Sequence, residues 1–94
     1  MKYEKFIKEI NDRSKMKQIN FYIKNYPHYK DCSIVKWKID GMITCILTKD
    51  LSEDVSFYGE FEENCKLFNF GSKGKYTLKD IWNSIVITKI VYFE

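Results

Sequence analysis

Ninety-four residues, 45% hydrophobic and 31% charged with one proline and four glycines, are enough to bury a single core. This balance excludes a disordered tail, a collagen-like fibre and a low-complexity linker. The net charge of +3 conceals an asymmetry: residues 1–49 hold eleven Lys or Arg against five Asp or Glu, and residues 50–94 hold five against eight, so the halves carry +6 and −3.

The first residues, MKYEKFIKEIN, place Tyr3, Phe6, Ile7 and Ile10 at i, i+3, i+4 and i+7, one apolar stripe of a helix from Lys2 to Asn11. Charge at every second or third position there does not match the apolar centre of a secretory signal, and no uncharged run approaches the ~18 residues of a membrane span. A cytoplasmic location, or the host cytoplasm for a phage-encoded chain, is therefore expected, with no membrane partner. Residues 16–25 carry two patterns. Ile19, Tyr22, Ile23 and Tyr26 repeat the helical spacing up to Pro27, while Ile19, Phe21 and Ile23 alternate with Asn20, Tyr22 and Lys24 as in a strand; the helix is the preferred reading.

From Ser33 the period becomes two, and Asp40-Gly41 between IVKWKI and MITCILT is a strong hairpin signal. A two-residue loop would put Lys36 and Lys38 on the face of Ile43, Cys45 and Leu47. A three-residue loop closing at Gly41 instead gathers Val35, Trp37, Ile43, Cys45 and Leu47 into one apolar face and leaves Lys36 and Lys38 wet, near Glu60 and Glu62; this register separates polar from apolar better and is preferred. Val55, Phe57 and Phe61 alternate with Ser56, Tyr58, Glu60 and Glu62 as a further strand, with Gly59 marking a bulge or a close neighbour. A strand over Cys65 to Phe70 and a loop, FGSKGKY, follow. Thr77 and Asp80 resemble a capping box ahead of Leu78, Ile81, Trp82 and Ile85, predicting a short helix over 77–85 docked by its tryptophan. The terminal VITKIVYF, apolar on both faces, suits a strand inside the sheet. The expected fold is α+β: N-terminal helical segments, an antiparallel meander of about four strands, the short helix and a final strand, all in one domain spanning residues 1–94.

Chemistry is sparsely represented. Hydrolytic or transfer catalysis needs a nucleophile and an oriented base, and the single histidine, His28, lies between Pro27 and Tyr29 with no local Cys-His signature. Zinc would need His28 with Cys32, Cys45 and Cys65, but no Cys-x-x-Cys knuckle is present. Gly71-Ser72-Lys73-Gly74-Lys75 has the wrong spacing for a nucleotide phosphate loop and reads as a turn with solvated lysines. No catalytic residue, metal or cofactor is assigned, and a non-enzyme is expected.

Two surfaces remain. Asp50, Glu53, Asp54, Glu60, Glu62 and Glu63 fall within fourteen residues that contain no Lys or Arg, with Tyr58 among them. Such a face repels nucleic acid and attracts a basic protein surface, for example the basic groove of a nucleic-acid enzyme. With Tyr26 and Tyr29 it forms the expected partner-binding set: Glu53, Asp54, Tyr58, Glu60, Glu62, Glu63, Tyr26 and Tyr29. The rival set is Lys36, Lys38, Lys73 and Lys75 with the same two tyrosines, lysine interleaved with aromatic rings as in single-strand nucleic-acid grooves, although Arg13 is the only arginine. The preferred expectation is a non-catalytic protein-binding module. By analogy of class alone, small single-core domains without catalytic residues include phage and mobile-element inhibitors of host defence nucleases, the anti-CRISPR group.

Overall fold

The structure is a computed structural model that describes residues 1–12, 15–27, 29–46, 55–61 and 77–94. Helix α1 (Tyr3–Asn11) is followed by strands β1 (Met16–Ile23), β2 (Cys32–Lys36), β3 (Ile43–Ile46), β4 (Val55–Phe57) and β5 (Ile85–Tyr92), the last preceded by a 3-10 turn, Trp82–Ser84. The strands form one antiparallel sheet in the order β4-β3-β2-β1-β5, so four consecutive strands make a meander and the last returns beside the first. The result is the expected small α+β fold. The sequence-predicted strand at 65–70 lies outside the described residues.

Strand β1 corrects the preferred helical reading of residues 16–25. A helix would have turned Tyr22 inward, but Tyr22 is exposed while Ile19, Phe21 and Ile23 are buried with period two. On the opposite face the Gln18 amide donates to Asn20 Oδ1 at 2.7 Å, as i and i+2 neighbours on one side of a strand do. Pairing decides the matter: β1 lies between β2 and β5 and fills hydrogen bonds on both of its edges, which an isolated helical pattern of marginal length could not match.

The hairpin register also differs from expectation. Lys36 pairs with Ile43 and Ile34 with Cys45, so Ile34, Lys36, Ile43 and Cys45 share the buried face, and Val35, Trp37 and Thr44 lie opposite. Trp37 N donates to Met42 O and Gly41 N to Trp37 O, both at 2.8 Å, leaving residues 38–41 as a four-residue connection. An even number of loop residues has the same face parity as a two-residue loop, which is why Lys36 rather than Trp37 turns inward.

That burial has a physical reason. Asp12 caps the C-terminus of α1, where backbone carbonyls lack intrahelical donors and carry the negative end of the helix dipole. The Lys36 ammonium, 4% exposed, donates to the Asp12 carbonyl at 3.1 Å. It thereby ties the second strand to the end of the helix.

Between helix and sheet lies the core. Tyr3, Phe6 and Ile10 on α1 meet Ile19, Phe21, Ile34 and Ile43 on the sheet. Phe6 stacks edge-on to Phe61, with centroids 5.2 Å apart, and lies 5.0 Å from the Trp82 ring, while Phe57 meets Phe61 at 5.8 Å. Phe61 reaches this position because the chain leaves β4 through Gly59, whose φ of 99° only glycine adopts freely, and its N–H donates to Asn11 Oδ1 at 2.8 Å. At the other end Trp82 Nε1 donates to the Met1 carbonyl at 2.9 Å.

Thr77 and Asp80 form the reciprocal capping box: Thr77 N donates to Asp80 Oδ2 at 3.0 Å, and Asp80 N to Thr77 Oγ1 at 3.3 Å. The helix it was expected to start is only a turn and a 3-10 segment, since Ile85 already belongs to β5. Among the described residues β5 is an edge strand rather than an interior one. Its Ile85, Ile87 and Ile90 pack against the core, and a register shift beside Thr88 together with exposed Lys89 breaks the regularity of the open edge. Tyr92 donates to Glu9 Oε2 at 3.1 Å and so joins this edge to the helix.

Two consequences follow from these ties. Replacing Lys36 by Glu puts a carboxylate against the negative end of α1, and chemical denaturation should show a loss of more than about 2 kcal/mol, with Lys36→Met costing less; a K36E stability within about 0.5 kcal/mol of the parent contradicts the capping role. The Tyr92 phenol is raised above its ordinary value of 10.0, first by burial, then by its hydrogen bond to Glu9 and the charge of that carboxylate. The folded chain then keeps this proton at pH values where the unfolded chain releases it, so the contribution is intact below pH 10 and is lost as pH rises through the folded value. Thermal melts carried from neutral to alkaline pH should fall more steeply for the parent than for Tyr92→Phe, and identical slopes would count against it.

Candidate docking surface

Among the described residues, the β2–β3 hairpin presents two strongly exposed large hydrophobic side chains. Ile39 at its tip is 99% exposed and Trp37 is 51% exposed. The tip is nevertheless built rather than loose: Asp40 Oδ1 accepts from Met42 N at 3.0 Å in an Asx-type turn, and Gly41 takes a φ of 72°, which a side chain would disfavour. Trp37 is held by a relay across the sheet, with Nε1 donating to Thr44 Oγ1 at 3.0 Å and the Thr44 and Ser56 hydroxyls 2.9 Å apart. One face of the indole is therefore offered in a fixed pose.

The acidic strand meets this tip. Tyr58, 62% exposed, donates its hydroxyl to Asp40 Oδ2 at 3.3 Å, and Glu60 is exposed two residues further on. Tyr58, Asp40 and Glu60 border a small cleft of about 270 Å³ whose wall also contains Lys36, Gly41 and Gly59. Of the expected partner-binding set, the structure thus places Tyr58 and Glu60 beside the hairpin. Glu53, Asp54, Glu62 and Glu63 lie outside the described residues.

Tyr26 and Tyr29 stand elsewhere and have a structural task. Their rings are 6.2 Å apart, Tyr29 is buried, and the turn between them closes on β1 through Tyr29 N to Tyr26 O at 2.9 Å and Ile23 N to Tyr29 O at 3.1 Å. The loop needs Asn25 at φ 64°, a residue type that tolerates the left-handed region. Of the lysine set, Lys36 is withdrawn into the core, Lys38 is exposed on the hairpin, and Lys73 and Lys75 lie outside the described residues.

Cys32 and Cys45 are buried thiols on neighbouring strands, while His28 and Cys65 are outside the described residues. Among the described residues no group of His, Cys, Asp and Glu is arranged to hold a metal ion, and no helix is long and apolar enough to cross a membrane. A groove of about 960 Å³ begins at the hairpin, where Trp37, Ile39 and Asp40 line it, and extends to the last described residues. Comparison with protein-family models, with curated proteins and with solved structures finds no match for this chain.

Sequence reading missed Ile39 and placed Trp37 inside. A signal for Ile39 was present, because the preferred three-residue loop closing at Gly41 already makes Ile39 a loop residue. The fixed pose of Trp37 gives a check: Thr44→Val removes its acceptor, and the Trp37 emission should shift to the red with lower anisotropy while the melting temperature changes little. Unchanged emission would show that the relay does not hold the ring.

Proposed function

We propose that this chain is a non-catalytic protein-binding module that docks through the tip of its β2–β3 hairpin. The single observation that carries this reading is the 99% exposure of Ile39 on a turn held by side-chain and backbone hydrogen bonds. A large aliphatic side chain in water gains about 1.5–3 kcal/mol when a partner pocket buries it, and a rigid turn spends little entropy in presenting it. Trp37 on one side of the tip adds an aromatic anchor of the type that dominates interfaces. On the other side Tyr58, Asp40 and Glu60 supply an acidic flank, which suits a partner with a basic surface and speeds encounter at low salt.

The finer reading is an inhibitor that occupies the basic groove of a nucleic-acid enzyme, as phage and mobile-element proteins of the anti-CRISPR class do. It rests on the acidic run at 50–63 and on class analogy. Direct binding of nucleic acid is the weaker reading, because Lys36 is spent inside the fold and the acidic flank repels phosphate beside the same hairpin.

Capture of partners from an extract of the native host tests the proposal. Ile39→Asp should weaken capture by at least about tenfold with the melting temperature unchanged, since the side chain makes no core contact. Glu60→Lys should weaken it more at low salt than at high salt. Undiminished capture by I39D, or micromolar binding of oligonucleotides by the parent with a steep salt slope, would overturn the reading.

A further inference from the structure

We infer that the outer edge of β5 is a self-association surface, to which a second copy of this chain adds its own β5 antiparallel about a two-fold axis between Thr88 and Lys89. Among the described residues no strand pairs with this edge, so its backbone N–H and C=O groups form a template for a further strand. The strand is eight residues long and contains no proline and one charged side chain, Lys89. Ile85, Val86, Ile87, Ile90 and Val91 are only half-buried, although they sit in the longest pairing of the sheet.

The order of faces along β5 selects a second copy as the occupant. Ile85, Ile87 and Ile90 pair with Ile23, Phe21 and Ile19 and point to the core side, as does Tyr92, which pairs with Met16 and bonds to Glu9 on the helix. Val86, Lys89 and Val91 pair with Tyr22, Asn20 and Gln18 and point outward. Thr88 is the residue left over where the register shifts, and it borders the same outer cleft as Gln18, Asn20 and Tyr22. The faces therefore run in, out, in, out, then out, in, out, in, an order that reads the same from either end.

Opposed residues of an antiparallel pair share a face. A strictly alternating strand can meet its own copy only with one residue opposite itself, whereas the extra residue here moves the axis between two residues. Val86 then opposes the partner's Val91, Ile87 opposes the partner's Ile90, and Ile85 opposes the partner's Tyr92. Lys89 opposes the partner's Thr88 rather than a second ammonium. A slip of one residue in either direction sets Ile87 against an outward residue, and the slip centred on Lys89 also places two lysines face to face. The shift and the lysine thus leave this edge one favourable register.

Pairing of this kind uses the β5 edge of both copies. At the margins of the resulting sheet stands β4, three residues long, so the assembly closes at two. Where the paired arm ends, a cleft of about 440 Å³ lined by Met1, Trp82, Asn83, Ile85 and Ile87 lies on the path of the partner's Phe93. Each side contributes fewer residues than a standard interface, so a dissociation constant on the order of 100 µM is expected.

Sedimentation equilibrium from about 10 µM to about 1 mM, with thermal melts confirming folding, tests the inference on the parent and on Val86→Lys, Val91→Glu and the double variant. The parent should show a monomer–dimer equilibrium. Each single variant should weaken it at least about tenfold by placing a charge opposite valine, and the double variant should restore it to within about threefold, because the introduced ammonium and carboxylate face each other twice across the axis. A parent that is monomeric at about 1 mM, assembly beyond two, indifference to the single substitutions, or a double variant as weak as the singles would each overturn it. Ile39→Asp should dimerise like the parent. A dimer lost in I39D would instead assign self-association to the hairpin, while failure of I39D to affect partner capture bears on the hairpin proposal alone.

Discussion

Lys36 reaches from the second strand to the C-terminal end of α1, and its ammonium meets the Asp12 carbonyl where the helix leaves backbone oxygens unsatisfied. Burying a lysine side chain in a chain of this size is costly unless the charge is paired with the dipole and lone pairs it faces. The contact requires Lys36 to point into the core, and with side chains alternating along a strand that choice also sends Trp37 to the outer face. The four-residue turn at 38–41 closes this register and carries Ile39 into solvent. A capping interaction inside the domain is thus linked by parity to the composition of its exposed surface.

The two faces of the sheet divide the labour accordingly. Inside, the aromatic contacts of Phe6, Phe57, Phe61 and Trp82 lock the helix to the strands, and side-chain hydrogen bonds at Asn11 and Tyr92 anchor segments far apart in sequence. Outside, hydroxyl and amide groups of Gln18, Asn20, Thr44 and Ser56 pair with one another and with Trp37. Polar groups arranged this way keep a sheet face wettable while holding its exposed aromatic ring in place. Asp40 lines both the cleft beside Tyr58 and Glu60 and the groove that runs past Trp37, so one turn joins the two surfaces.

Much of this was legible in the residues. The stripe of Tyr3, Phe6 and Ile10 announced α1, and Thr77 with Asp80 formed the capping box its spacing implied; the strand expected from Val55 through Phe61 forms but ends at Phe57, because the turn at Gly59 leads Phe61 into the core and leaves Tyr58 and Glu60 beyond the strand. Tyr58 and Glu60 were recognised as surface groups because acidic residues without basic neighbours seldom enter a core. Residues 16–23 were misread because Ile19, Tyr22 and Ile23 satisfy two periods at once, and only the neighbours β2 and β5 choose between them. The edge position of β5 was likewise invisible, since its both-sided apolarity matches an interior strand.

Sequence by itself determined that this chain has a small α+β fold, that α1 and the β2–β3 hairpin form where hydrophobic period and turn residues place them, and that its negative charge concentrates in one stretch. These are local properties, set by side chains within a few residues of one another. Tertiary structure alone decided which face of the hairpin is buried, because loop parity and the helix end that receives Lys36 come from opposite sides of the core. It also decided that the basic charge of the N-terminal half is partly spent inside the fold. What remains outside is a projecting isoleucine and an oriented tryptophan at one end of a groove that reaches Val91 and Phe93, whose two ends are brought together by strand pairing over a distance no local pattern spans.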